Sequence, residues 1–174
     1  MLLPQDIVVL LKLALGSKAD LSTAELAATI GMSPSQVHQS LGRAREGRLL
    51  LLGPGGGRKR QTKQVQRQAL LELLLHGVRY VYPAKTGGET RGVRTFGQFA
   101  PTVFESSLQP VWPYAQGEAR GLAFEPLAPC VPVAALADSA LHRALACVDA
   151  VRGGQARERL WAQEELEKML RAAP

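Results

Sequence analysis

Apolar residues recur at helical spacing along the first quarter of the chain. The pattern predicts three helices, at Pro4–Leu15, Thr23–Ile30 and Pro34–Glu46. The first helix is apolar around nearly its whole circumference, which predicts burial on more than one side. Two interpretations stay open for it, a central core helix or a contact with a second copy of the chain. The two shorter helices share an apolar set that fits a steep crossing: Leu26, Ala27, Ile30, Met32, Val37 and Leu41.

Matching polar residues mark the starts of the two shorter helices. Ser22 is followed three residues later by Glu25, and Ser33 is followed in the same way by Gln36. In each case the serine can cap the helix while the longer side chain reaches back to the freed backbone amide. Gly31 lies between the helices, where a sharp turn favours a residue without a side chain. Together these signals predict a helix-turn-helix.

A hairpin is predicted directly behind the third helix. Gly47 ends that helix, residues 48–52 are predicted as a strand, residues 53–57 as a glycine-rich turn and residues 58–62 as the returning strand. A hairpin in this position is called a wing. The return arm begins with three consecutive cations: Arg58, Lys59 and Arg60. This composition suits an element that lies along a phosphate backbone.

Prolines change the character of the chain after a further helix that is predicted over residues 63–76. Seven of the eleven prolines lie between residues 78 and 132, and prolines this dense exclude long helices. We therefore expect short strands and ordered loops in this segment. Residues 78–83 and 121–127 are predicted as strands, and residues 86–92 as an exposed turn.

Helical periodicity returns near the C-terminal end. Two helices are predicted, over residues 133–151 and 156–172, with Gly153 and Gly154 as the break between them. The whole chain is therefore predicted to be α+β and mainly α. Its predicted divisions are a winged helix-turn-helix (residues 1–62), a connecting helix (63–77), and a mixed strand and helix region (78–174) for sensing, dimerisation or partner binding.

Composition excludes several classes of protein. No run of 18 apolar residues exists, and the apolar start lacks the basic leader and cleavage site of a signal peptide. Cys130 and Cys147 are isolated, which favours reduced structural thiols in the cytoplasm. His38, His76 and His142 are too far apart in sequence to suggest a metal site. We expect a cytoplasmic chain with no membrane contact, no cofactor and no metal.

The positive charge is concentrated in one part of the chain. Residues 1–68 hold ten Lys and Arg against four Asp and Glu, a net charge of +6, whereas residues 69–174 hold eleven of each sign. The whole excess thus belongs to the segment with the predicted helix-turn-helix. A localised basic surface is typical of proteins that bind nucleic acid.

The third helix carries the predicted DNA contacts. If Val37 and Leu41 face the core, the polar residues around them face outward, and the N-terminal half of such a helix enters the major groove. Glutamine can contact adenine there and arginine guanine. The predicted base-reading residues are Ser35, Gln36, His38, Gln39 and Arg43. The predicted phosphate contacts, which position the protein without reading sequence, are Arg45, Arg48, Arg58, Lys59 and Arg60.

The segment LSTAELAATIGMSPSQVHQSLGRAREGRLL, followed by the basic hairpin, resembles the winged helix-turn-helix domain of MarR-like bacterial transcriptional regulators. The resemblance covers residues 5–62, about a third of the chain. It implies a cytoplasmic, dimeric regulator, here a repressor, that binds a pseudo-palindromic operator in double-stranded DNA and responds to a small-molecule effector or a protein partner. The chain departs from the family in two features. No long dimerisation helix precedes the motif, and the proline-rich segment replaces the helices expected after the wing.

Two other classes of function compete with this interpretation. Enzyme activity is not expected, because the carboxylates of residues 105, 118 and 125 form no nucleophile–base spacing, P-loop or metal motif. The alternative to a regulator is an antitoxin-like interaction protein, whose winged helix autoregulates while its C-terminal region binds a protein partner. The aromatic residues that suit either a partner surface or the core are Trp112, Tyr114 and Phe124.

Overall fold

The computed structural model describes residues 1–16, 21–54, 61–103 and 108–172. Within these ranges the protein is α+β and mainly helical, as the pattern predicts. The helices are α1 (Pro4–Leu15), α2 (Thr23–Ile30), α3 (Pro34–Glu46), α4 (Arg67–Glu72), α5 (Val78–Val81), α6 (Val131–Ala137), α7 (Ser139–Gly153) and α8 (Ala156–Ala172). The strands are β1 (Leu50–Pro54), β2 (Gln61–Val65), β3 (Thr86–Arg94), β4 (Pro110–Pro113) and β5 (Ala119–Phe124).

The first three helices begin and end where the sequence predicts, and both capping boxes form. The backbone amide of Glu25 donates to Ser22 Oγ at 3.2 Å, and the amide of Ser22 donates to the Glu25 carboxylate at 2.7 Å. Ser33 and Gln36 repeat this arrangement at 3.2 and 2.9 Å. Gly31 ends α2 in the left-handed conformation, with φ of 66°. The chain can therefore reverse sharply between α2 and α3.

The predicted hairpin is confirmed, although its strands start later than the sequence suggests. β1 and β2 pair antiparallel, from Leu50 opposite Val65 to Pro54 opposite Gln61. Arg48 cannot join the strand because it adopts the left-handed conformation that closes α3, with φ of 57°.

The helix predicted over residues 63–76 is displaced toward the C-terminus. Residues 63–65 pair with β1, so α4 starts at Arg67, and a π-helical turn, Leu73–Gly77, carries the helical path on into α5. The strand predicted for residues 78–83 is therefore wrong. The helical path buries Val78, and it brings Tyr82 next to α1, where its hydroxyl donates to the carbonyl of Leu2 at 2.7 Å.

Each of β3, β4 and β5 pairs with both of the others, so these three strands close on themselves. β3 is antiparallel to the other two strands, and β4 and β5 are parallel to each other. The strand predicted at residues 121–127 corresponds to β5, but the turn predicted at residues 86–92 is wrong because those residues form most of β3. A β-carbon at Gly92 would overlap the carbonyl oxygen of Trp112, so the closed sheet requires glycine at this close approach.

The helix predicted over residues 133–151 is two helices. Asp138 has extended backbone, with φ of −149°, and its carboxylate accepts the backbone amide of Leu141 at 3.0 Å, which caps α7. The carboxylate also binds Lys12 of α1 at 2.6 Å. The predicted break at Gly153 and Gly154 and the final helix α8 are confirmed.

α1 is the central helix of the core. Its residues from Ile7 to Leu11 have no exposed surface. α1 contacts α3 and also α7, and the buried residues of both halves of the chain form one cluster. Of the two interpretations of this apolar helix, the structure therefore shows the core helix. α6 packs on the turn between α2 and α3, where a β-carbon at Gly31 would lie 2.9 Å from the Val133 side chain.

Candidate nucleic-acid interface

The N-terminal half of α3 presents a polar face to solvent. Val37 and Leu41 are buried against the neighbouring helices, as the helical period requires. Four of the five predicted base-reading residues are exposed: Ser35, Gln36, His38 and Gln39. The structure thus brings these four together on one accessible helix.

The four exposed residues differ in whether their side-chain polar atoms already form hydrogen bonds within the described chain. His38 and Gln39 make no hydrogen bond to another described residue. Gln36 uses its side-chain oxygen to accept the backbone amide of Ser33 at 2.9 Å. Its amide nitrogen still carries two N–H donors, but the two-point contact with adenine needs both the oxygen and the nitrogen. Gln39 is therefore better placed than Gln36 for that contact.

Gly42 continues the same face one turn later. A β-carbon at this position would meet no atom within 4 Å, so the space outside the helix is open. At this point α3 is therefore not covered by another part of the described chain.

Arg43 lies apart from the exposed group, although it is one of the predicted base-reading residues. Its Nε donates to Asp6 Oδ2 at 2.8 Å and its Nη2 donates to Asp6 Oδ1 at 2.7 Å. Nη2 also approaches Ser40 Oγ at 3.3 Å, and only 20% of the side chain is exposed. The hydrogen bond to Asp6 raises the pKa of Arg43. Because Nε and Nη2 already donate to Asp6, they are not available together for the predicted two-point contact with guanine.

Asp6, which the sequence pattern does not single out as a functional residue, is fully buried. A carboxylate is costly to bury without a partner, so the lone acidic residue of an apolar helix is itself a signal for a buried cation. Asp6 also accepts the backbone amide of Leu3 at 2.8 Å, and thereby caps α1 as well as holding α3.

Two of the predicted phosphate contacts lie near the C-terminal end of α3, and both are exposed. Arg45 is on the last turn. Arg48 follows the helix in the left-handed conformation, where its amide donates to the carbonyl of Arg45 at 3.0 Å and the next amide, of Leu49, donates to Ala44 at 2.9 Å. This closure ordinarily uses glycine, because a side chain is strained there.

The other three predicted phosphate contacts, Arg58, Lys59 and Arg60, lie outside the described residues. The base of the hairpin is described, and it is tied to the helix pair. Lys63 of β2 donates to the carbonyl of Leu21 at 2.6 Å, immediately before the cap of α2. The hairpin is thus joined both to α3, through the chain, and to α2, through this bond.

A buried polar network joins the closed sheet to α7. The indole of Trp112 donates to Asp149 at 2.5 Å, and Arg152 forms an ion pair with the same carboxylate. Arg152 also donates to the carbonyl oxygens of Tyr82 at 2.8 Å and Glu125 at 3.2 Å. Burial raises the pKa of Asp149 to about 6, although Arg152 and Trp112 favour its charged form.

The candidate aromatic residues and Cys147 lie mainly in the core. Trp112 and Phe124 are buried, and Tyr114 is half-buried, so these aromatic residues belong mainly to the core. Cys147 is also buried, which raises the pKa of its thiol to about 12. In the described ranges no three His, Cys, Asp or Glu side chains group as metal ligands, and no helix there is long and apolar enough to cross a membrane.

Comparison of the chain with protein-family models, with curated proteins and with solved structures finds no match.

Proposed function

We propose that this chain is a sequence-specific, double-stranded-DNA-binding transcriptional regulator of the cytoplasm, acting as a homodimeric repressor. In this proposal α1, α2, α3 and the β1–β2 hairpin act as a winged helix-turn-helix. The single observation that carries the proposal is the exposed polar face of α3, with Gln39 and His38 unengaged by other described residues. The region from residue 78 onward takes the dimerisation, sensing or partner-binding role.

The chemistry of α3 supports a polyanionic partner. From Ser33 to Arg45 the sequence contains no acidic residue, so nothing on this face of the helix repels phosphate. An α-helix fits the major groove, in which glutamine, serine and histidine can donate to base edges. The open space at Gly42 lets the helix approach the groove wall.

The local pairing of charges supports the same conclusion. Residues 1–68 carry a net charge of +6. Within the described part of this segment, Lys12 and Arg43 are neutralised by buried or half-buried carboxylates. Arg45 and Arg48 are exposed beside the polar face, where phosphate groups flanking the groove would lie.

The decisive experiment is selection of bound duplexes from a random DNA pool, followed by affinity measurements on the selected site. We expect an enriched motif, arranged as an inverted repeat if the protein binds as a dimer. Gln39→Ala should cost about 1–3 kcal/mol on the selected site and relax the preference at one base pair. Gln68→Ala removes an exposed glutamine of α4 and is the matched control, which should leave the motif unchanged.

The salt dependence of the affinity for the selected duplex is a second test of the proposed function. Each neutralised phosphate releases counterions, so affinity should fall steeply between about 50 and 200 mM salt. An unenriched pool, or binding that stays flat over this range, would contradict the proposed function.

A further inference from the structure

α1 and α3 are joined by one ion pair with a defined geometry. The two oxygens of Asp6 each accept one N–H of the Arg43 guanidinium, at 2.8 and 2.7 Å. Asp6 is completely buried, and Ser40, one turn before Arg43, lies 3.3 Å from the same guanidinium. The pair is therefore a two-point contact between two planar groups, held from both helices.

A two-point contact controls the rotation of a helix in a way that apolar packing does not. Val37, Leu41 and Ala44 bury the inner face of α3, but apolar contacts have little directional preference. Side-chain tips lie about 6 Å from a helix axis, so a rotation of about 20° moves them by about 2 Å. Such a rotation would break the paired hydrogen bonds of Asp6 and Arg43, whose donors form a rigid fork.

On α3 the backbone of Arg43 is one turn away from the exposed polar face, although its side chain binds Asp6. Arg43 follows Gln39 by four residues, which is one turn of α3. Whatever holds Arg43 in place consequently sets the direction in which Gln39 and its neighbours point. Recognition groups need to be held within about 0.5 Å and 10–20° to act specifically.

We propose that Asp6 and Arg43 are positioning residues, which set the rotation of α3 and thereby the sequence specificity of the interface, rather than contacts with DNA. This inference rests on the proposed function. It assigns a role to Asp6 on the helix behind the interface, and it reverses the expectation that Arg43 reads a base.

The test compares the affinity for the selected duplex with the affinity for a random duplex, a ratio that measures specificity. The double variant Asp6→Leu/Arg43→Met replaces the ion pair by apolar groups, which a core commonly tolerates. We expect the ratio to fall about tenfold or more, the equivalent of one lost base contact, while binding to random duplex changes less than about twofold. The affinities of all variants are measured below their unfolding temperatures, which are determined by circular dichroism.

The matched control removes the other ion pair of α1, which connects it to α7 instead of α3. Lys12→Met/Asp138→Asn abolishes the 2.6 Å contact but keeps an oxygen to cap α7. This variant should retain the wild-type ratio. If Asp6→Leu/Arg43→Met fails to fold, Arg43→Lys takes its place, because lysine keeps the charge but cannot form the two-point contact; the same loss of ratio is expected.

Three results would overturn the inference. An unchanged ratio in the variants without the pair shows that packing alone positions α3. A changed preference at one base pair in Arg43→Gln, with a normal motif in Asp6→Asn, shows that Arg43 reads DNA. Failure of the unaltered chain to select any duplex removes the proposed function and this inference together, whereas selection with an unchanged ratio removes only the inference.

Discussion

The helix pair α2–α3 and the closed sheet β3–β5 are stabilised in opposite ways. The polar contacts that start each helix of the pair join residues three positions apart, such as Ser22 with Glu25. Those that fix the sheet onto the core join distant residues, with 37 positions between Trp112 and Asp149 and 27 between Glu125, which directly follows β5, and Arg152. Local contacts are exposed and individually weak, whereas the distant ones are buried and individually strong.

The difference follows from where each contact lies. An exposed cap exchanges one hydrogen bond with water for one with the chain, so removing it changes the free energy of unfolding by about 1 kcal/mol. A buried ion pair leaves an uncompensated charge when one partner is removed, which costs about 3–5 kcal/mol. The comparison therefore predicts a descending series of mutational effects from the sheet side to the helix pair.

The largest effect is expected for Arg152→Met at pH 7. The variant leaves Asp149 buried without its cation and leaves the carbonyl oxygens of Tyr82 and Glu125 without a donor. The free energy of unfolding should fall by about 3–5 kcal/mol in urea titration. Arg143→Met is the matched control on α7: the Arg143 side chain is exposed and its partner Glu165 keeps a second cation, Lys168, so the loss should be at most about 1 kcal/mol.

The same variant has a defined pH dependence. Because burial raises the pKa of Asp149 from 3.8 to about 6, the stabilising contribution of this group is complete below pH 3.8 and is lost as the pH rises through about 6. Near pH 5 Asp149 is mostly neutral in the wild type too, so the penalty of Arg152→Met should shrink between pH 7 and pH 5. An equal penalty at both pH values would contradict a buried, titrating Asp149.

The next effect is expected for Gly92→Ala, which tests the close approach of the strands. A β-carbon there would overlap the carbonyl oxygen of Trp112, so one of the two backbones must move. Overpacking of this kind costs about 3 kcal/mol. In Gly88→Ala, on the same strand, the new carbon meets nothing within 4 Å, and the change should stay within about 0.5 kcal/mol. Similar losses in both variants would show that β3 is not packed as described.

The same contrast explains which elements the sequence predicts. Serine caps, Gly31 and the helical period are local signals, so the bounds of α1, α2 and α3 are predicted correctly. β3 begins with exposed, glycine-rich residues, and its partners lie between 17 and 38 positions later, so no local pattern distinguishes it from a turn. The prediction of a strand at residues 78–83 is wrong for a related reason. Burial of Val78 in the tertiary structure outweighs the strand preference of a short alternating pattern.

The candidate interface also contains residues whose positions follow from local sequence and one whose position depends on a distant residue. Exposure of Ser35, His38 and Gln39 follows from the period of α3 alone, and the structure agrees. The position of Arg43 depends on Asp6, 37 residues earlier, and helical geometry gives no information about such a partner. Helical spacing predicts the side of the helix from which a side chain projects. It does not predict that the long side chain of Arg43 binds the buried carboxylate of Asp6.

A smaller effect is expected when the caps of the helix pair are removed. Ser22→Ala and Ser33→Ala each delete the hydroxyl that accepts a backbone amide at 3.2 Å. Each should lower the free energy of unfolding by about 1 kcal/mol. Ser139→Ala is the control, because α7 is capped by Asp138 and this exposed serine should contribute less than about 0.5 kcal/mol. Losses as large as that of Arg152→Met would remove the distinction between local and distant contacts.

The smallest effect has the opposite sign and connects stability with the proposed function. Arg48 occupies a left-handed position with φ of 57°, where a side chain costs about 1 kcal/mol relative to glycine. Arg48→Gly should therefore stabilise the protein by up to about 1 kcal/mol while weakening DNA binding and reducing the salt slope by about one phosphate. Arg45→Ala should reduce the slope equally without the gain in stability, because Arg45 has helical backbone. A need for the positive charge in DNA binding would explain why a strained arginine is kept at this exposed position. An Arg48→Gly protein that is more stable but binds DNA normally would show that the charge is not needed for binding.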